Sequence, residues 1–201
     1  MSPSAEPVPA VELLDVSEEL LEQLLELALR DADADEVTPP LGTTAGWNTD
    51  RISWFREFHR AAAAGLDGPA GQKTWAIRCD GQLAGSIRLK RMDPEPAEAG
   101  GGAGGGGAGS GGGTGAGDGG GGALETGIWL ARSFRGRGVG REALRLVKAR
   151  AASAGAAVLV AETTAGNVGA LALLKYAGAE LVTGAASETE TVPVIGTIPL
   201  R

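Results

Sequence analysis

Residues 124–140 read LETGIWLARSFRGRGVG, a strand-like run that breaks into a turn rich in glycine and arginine. The next stretch, GVGREALRLVKARAASAG (138–155), has helical spacing, so the turn RGRGVG (135–140) opens a helix directly after a strand. The first amides of a helix lack an intrahelical acceptor and stand at the positive end of its dipole, which makes this turn an anion site. Gly136, Gly138 and Gly140 let the main chain approach a phosphate closely and take conformations that a side chain forbids. Arg135, Arg137 and Arg141 add charge at the same place. In a chain of formal net charge -7, such a local basic cluster favours a polyphosphate ligand, although exposed arginines are also ordinary solvated surface.

Of three other readings of the turn, the first fails and two stay open. A P-loop needs Lys followed by Ser or Thr after the glycines, and this sequence has neither there. A dinucleotide site gains from Glu162, which ends the next strand roughly 20 positions on, where a ribose-binding acid belongs. Against it, the spacing is Gly-x-Gly-x-Gly rather than Gly-x-Gly-x-x-Gly, and too little chain remains for a doubly wound sheet. The third is a strand-to-helix turn that binds nothing.

Working outward, VELLDV (11–16) is a short apolar strand, and Ser17 caps a helix whose Leu20, Leu21, Leu24, Leu27 and Ala28 form one apolar stripe. DADADEVTPPLGTTAG (31–46) is acidic and punctuated by Pro and Gly, so it reads as a loop, and a second helix runs near 50–64. KTWAIRCD (73–80) and QLAGSIRLKRMD (82–93) alternate and join at Asp80-Gly81, a strong hairpin signal. Between 99 and 123 the composition collapses to Gly, which buries too little apolar area to offset its ordering entropy; the segment reads as a disordered insertion between the third and fourth strands. Stretching a loop of roughly four residues to about 28 costs only about 1.7 kcal/mol, so a single domain over 1–201 tolerates it, as an inert expansion or as a flap over the substrate. Beyond the motif come a strand, AAVLVAETT (156–164), a helix, NVGALALLKYAG (167–178), and two strands, AELVT (179–183) and ETVPVIGTIPL (190–200).

The acidic balance argues against a nucleic-acid partner, because phosphate contacts need a basic face, and it suits a cationic substrate. With no run of 18 apolar residues and no signal-peptide pattern, no membrane association and a cytoplasmic location are expected. Cys79 is the only cysteine and His59 the only histidine, so a disulfide within the chain is impossible and no metal site is expected. Cys79 reads as a small buried strand residue and His59 as a surface or packing residue.

LETGIWLARSFRGRGVG, a strand followed by Arg-x-x-Gly-x-Gly, resembles the acetyl-CoA-binding motif of the GNAT superfamily of N-acetyltransferases. AETTAGNVGALALLKYAGAEL (161–181) is similar to the family's next strand and helix, with Asn167, Ala170 and Gly178 at the family's mutual spacing. The resemblance implies an α/β (α+β) domain: a mixed, mostly antiparallel seven-stranded sheet, splayed at its centre, with helices on both faces. By it, the amides of Arg135, Gly136, Arg137, Gly138, Val139, Gly140 and Arg141 cradle the pyrophosphate of acetyl-CoA. Main-chain groups around Leu130 and Arg132 pair with the pantetheine arm like an added strand. Asn167 touches the same molecule, and as the first residue of a helix it also fits an N-cap.

The acceptor amine must lose a proton before attack; reference values of about 8 and about 10.4 leave about 10% and about 0.04% neutral at pH 7, a penalty of roughly 1.4 or 4.6 kcal/mol. Glu125 is placed like the strand glutamate that several family members use as base, and Glu162 is the second candidate. Many members carry a tyrosine seven residues after the asparagine to protonate the leaving thiolate; Leu174 stands there, and Tyr176 is about 200° further round the helix. Acceptor recognition falls to the first two helices and their loop, where Trp47, Asp50, Trp54 and Glu57 offer aromatic faces and carboxylates, each tryptophan having hydrophobic core as its alternative. No serine or cysteine with a base at motif spacing offers a nucleophile, so direct transfer is expected. The acidic balance and the carboxylates and aromatics of the acceptor loop favour a primary amine of a small cationic molecule, an aminoglycoside-type antibiotic among the possibilities. The alternatives are a protein N-terminal acetyltransferase, of the kind that modifies ribosomal proteins, and a non-catalytic acyl-CoA-binding domain. Either a monomer or a homodimer is compatible.

Overall fold

The computed structural model describes residues 8–92, 122–185 and 191–200. Seven strands form one sheet: β1 (Val11–Asp15), β2 (Gln72–Cys79), β3 (Gln82–Arg91), β4 (Ala123–Leu130), β5 (Val158–Thr164), β6 (Glu180–Thr183) and β7 (Pro193–Pro199), in the spatial order β1-β2-β3-β4-β5-β7-β6. Every neighbouring pair is antiparallel except β4 with β5. That parallel ladder has four rungs and stops at Thr126–Ala161, although β4 continues to Leu130 and β5 to Thr164. The sheet therefore splits at its centre, as the resemblance implies.

The helices are α1 (Glu18–Asp31), α2 (Ala34–Val37), α3 (Thr49–Ala61), α4 (Val139–Ser153) and α5 (Val168–Tyr176). Period-two alternation assigns them to faces. Trp129 of β4 meets Phe55 of α3 edge-on at 6.4 Å, so Glu125, Gly127 and Trp129 face α3. Leu130 lies against the Gly140 position of α4, and Arg150 of α4 stacks over Trp75, which places α4 on the opposite face. Leu174 packs on Gly196 and puts α5 there too, so helices cover both faces.

α1 begins as its sequence predicts, with Ser17 Oγ accepting from the Leu20 amide at 3.2 Å and two glutamates in the first turn. Its buried residues are Leu21, Leu24, Leu25, Leu27 and Ala28; Leu20 is only half-buried, so the stripe is rotated slightly from the expected one. Each fully buried leucine contributes about 1.5–3 kcal/mol of transfer free energy. The hairpin between β2 and β3 turns through Asp80 (φ 49°) and Gly81 (φ 83°), the two positive values that a type I′ turn requires. Cys79 is buried on β2. Two expectations need correction. The acidic stretch after α1 is not all loop, because residues 34–37 make a helical turn, and the second helix ends at Ala61, with a 3-10 turn over Ala62–Ala64. The Gly-rich segment lies outside the described residues except for Gly122 and Ala123, the latter the first residue of β4. Among the described residues no helix is long and apolar enough to cross a membrane.

Candidate functional site

β4 leaves the sheet at Leu130 and enters a 3-10 turn, Arg132–Phe134, before α4. Arg132 is therefore past the strand, and its carbonyl already accepts the Arg135 amide at 3.2 Å, so it is not a strand-pairing group. Gly136 (φ 72°) and Gly138 (φ 79°) are left-handed, a conformation that costs other residues about 1–2 kcal/mol. The result is a run of main-chain N–H groups, from Gly136 to Arg141, with no hydrogen-bond acceptor among the described residues; the ladder of α4 begins with the Glu142 amide donating to Gly138 at 3.2 Å. Six consecutive amides without an acceptor among the described residues therefore stand at a helix start, where the sequence predicts an anion site.

The arginines of the turn do not act as one cluster. Arg132 is paired with Asp33, which raises its pKa, first through the side-chain hydrogen bond. Arg135 is paired with Glu36 at 2.6 Å. Arg137 and Arg141 have no carboxylate partner among the described residues, and they stack over Phe134 at 5.3 Å and Tyr176 at 4.4 Å. The uncompensated positive charge thus flanks the free amides.

Main-chain alternation fixes what the split offers. The Ala131 amide donates to the Ala84 carbonyl at 2.8 Å, so Ala131, Trp129 and Gly127 hydrogen-bond toward β3. Ile128 and Leu130 consequently turn their N–H and C=O groups the other way, into the opening beyond the last β4–β5 rung. Leu130 is where the sequence places it; Ile128 was missed, because the alternation has no phase until one ladder bond is known.

Both candidate bases lie on the α3 face. Glu125 is half-buried and ion-paired with Arg88. Arg88 lies flat across the strand because residue 127 is glycine, where a Cβ would stand 3.0 Å from Arg88 Nε. On its other side Arg88 is 5.9 Å from the Phe58 ring, which stacks on Trp54 at 4.7 Å. Arg88 and Phe58 are additions to the expected site, and only the β3–β4 register, Arg88 opposite Gly127, could have shown the first of them. Glu162 falls one residue beyond the last rung, exposed, and without a hydrogen-bond or ion-pair partner among the described residues.

Of the expected acceptor residues, Trp54 joins this wall, whereas Trp47 serves packing: its indole N–H donates to the Ala32 carbonyl at 3.1 Å and its ring meets Phe55 edge-on. Asp50, in the first turn of α3, and Glu57 are both exposed. Asn167 caps α5, accepting from the Ala170 amide at 3.0 Å. Leu174 is 4% exposed and held against β7, while Tyr176 is exposed and lies under the Arg141 guanidinium.

Comparison with curated proteins finds no match. Among solved structures the chain is similar to RimL, a ribosomal L7/L12 alpha-N-protein acetyltransferase in complex with coenzyme A, at TM-score 0.66 and 16% identity, covering 96% of each chain. It is similar to the Salmonella typhimurium acetyl transferase that modifies the N-terminal serine of ribosomal protein L7/L12, at TM-score 0.65 and 15% identity over 96% of this chain and 97% of that one. An N-acetyltransferase from Staphylococcus aureus Mu50 aligns at TM-score 0.56 and 17% identity over 96% and 99%. The profile described as Acetyltransferase (GNAT) family matches residues 23–179. A match of that extent, on a sheet that opens beside a cradle of free amides, makes the chain a member of the GNAT family of acetyltransferases.

Proposed function

We propose that this acetyltransferase moves the acetyl group of acetyl-CoA directly onto a primary amine of a small cationic molecule. The observation that carries the proposal is the pairing of two opposite charges at one opening: acceptor-free amides with Arg137 and Arg141 on one side, and on the α3 face the carboxylate of Glu162, with the Glu125–Arg88 pair deeper in the sheet. Acetyl-CoA supplies the activated acyl group. The amides of Gly136–Arg141 hold its pyrophosphate, helped by Arg137 and Arg141; the side chain of Arg135, already engaged, adds little. Ile128 and Leu130 offer main-chain pairing to the pantetheine arm, and an N–H aimed at the thioester oxygen stabilises the charge that develops there, by about 3 kcal/mol for one well-placed donor. Asn167 uses its oxygen as a cap and keeps its NH2 for the cosubstrate.

Occupancy separates the two candidate bases. Glu125 lies inside the paired part of the ladder and gives an oxygen to Arg88, whereas the Glu162 carboxylate stands at the opening with no partner among the described residues. We assign proton removal from the amine to Glu162, directly or through water, and to Glu125 with Arg88 the fixed floor of the acceptor site under Trp54 and Phe58. Leu174 supplies no proton, so the thiolate, whose ordinary pKa is about 8.5, leaves to water.

The test is thiol release by the purified chain with acetyl-CoA and a panel of polyamines, aminoglycoside-type amines and peptides with free N-termini. Polyamine-like acceptors should turn over fastest; turnover of peptides alone would move the substrate class to protein N-termini. Glu162→Gln should remove the rise of kcat/KM with pH and Glu125→Gln should keep it, and the reverse pattern would exchange the two roles.

A further inference from the structure

The segment DADADE (31–36) carries four carboxylates, and each has a partner. Asp35 reaches the buried Arg51 of α3 at 2.7 Å. The other three converge on the turn between β4 and α4. Asp31 accepts from Ser133 Oγ at 2.6 Å and from the Ser133 amide at 3.1 Å, Asp33 pairs with Arg132, and Glu36 takes Arg135 in a two-pronged contact at 2.6 and 3.2 Å. The guanidinium of Arg135 is also folded onto the carbonyl of Leu130, donating from Nε at 3.0 Å and from Nη2 at 2.9 Å. That carbonyl is one of the main-chain groups that alternation turns into the split. These contacts use four of the five N–H donors of Arg135 and one carboxylate balances its charge, so it has little left for a phosphate.

We propose that Glu36 is a positioning residue of the cosubstrate site, acting through Arg135: it fixes the turn that presents the free amides and keeps the Leu130 carbonyl occupied. The pantetheine arm is then left the N–H and C=O of Ile128 and the N–H of Leu130, which sets a single register along β4. This rests on the cosubstrate reading given above. The chemistry suits the task, since a planar fork gripping a carboxylate at one edge and a carbonyl at the other cannot swing as a lysine would.

Calorimetry with coenzyme A and steady-state kinetics with acetyl-CoA, on the full chain, test it. Glu36→Gln should raise both Kd for coenzyme A and KM for acetyl-CoA about three- to fivefold, the range expected for losing a partly exposed two-pronged pair, with kcat within about twofold. Glu36→Asp should recover most of the loss. Glu19→Gln, which removes the same charge from the exposed side of α1, should change neither constant. An unchanged KM in Glu36→Gln, or a fall in kcat alone, overturns the proposal. So does tighter binding, because Glu36 would then be competing with the phosphates for Arg135. If the wild-type chain takes up no coenzyme A at millimolar concentration, the cosubstrate reading fails instead, and the proposal with it.

Discussion

His59 is 3% exposed between Phe55 and Phe58, at ring-centroid distances of 4.6 and 5.4 Å, with Nδ1 3.0 Å from Thr74 Oγ1. Burial lowers its pKa to about 4. The unfolded chain therefore binds a proton near pH 6.5 that the native chain refuses until about pH 4. Stability is complete above the unfolded value and declines as pH falls through this window, by about 3 kcal/mol in total. Asp31, its pKa lowered first by the Ser133 hydroxyl and then by the Ser133 amide, adds a loss in the same direction below its ordinary 3.8. Urea denaturation at pH 7 and pH 4.5 should show the drop, and His59→Gln should flatten it. Nothing in the sequence points from His59 to Thr74, because their meeting depends on how α3 lies across β2. The same holds for Glu125 and Arg88, whose contact is set by register. Asn167 was legible because a cap is a local device, satisfied three residues away.

At the scale of elements, the bend in β3 governs the strand that carries the site. Ile77 pairs with Gly85 and Arg78 with Leu83, leaving Ala84 as an extra residue, a bulge whose carbonyl receives the Ala131 amide. Gly85 comes next at φ 154°, and a Cβ there would come within 2.1 Å of the Trp129 carbonyl oxygen. Gly85→Ala should therefore destabilise the chain by about 3 kcal/mol, read from the denaturation midpoint, with coenzyme A affinity falling because β4 shifts. The alternation of both strands and the Asp80-Gly81 turn gave away the hairpin but not the bulge, since an extra residue leaves no mark in a pattern of period two. α2 was hidden for a different reason: one helical turn is too short to show periodicity. Read from the sequence, the strand ALETGIWLAR (123–132) runs two residues past the end of β4 at Leu130, because Ala131 and Arg132 continue its character after the chain has turned away.

For the molecule as a whole, the seven-stranded, mostly antiparallel sheet and its central split were accessible through the resemblance that two motifs carry, while the surroundings of Glu125 were not, since Arg88 and Phe58 come from segments far apart in the chain. The acidic run after α1 read as a loop, and in the folded chain it has specific partners on the turn before α4. Among the described residues, α1 and α3 do not cover the face of β5, β7 and β6 that carries Glu162, where Ile195 and Val182 are 42% and 64% exposed. The two halves of the sheet are joined through four rungs. Such a seam is a crease: main-chain protons at Ile128 and Leu130 should trade with deuterated solvent within seconds in the free chain and slow at least about tenfold once coenzyme A is present, while those of β2 and β3 stay unchanged. Slowing confined to those two residues would mean that the cosubstrate completes the sheet across its crease.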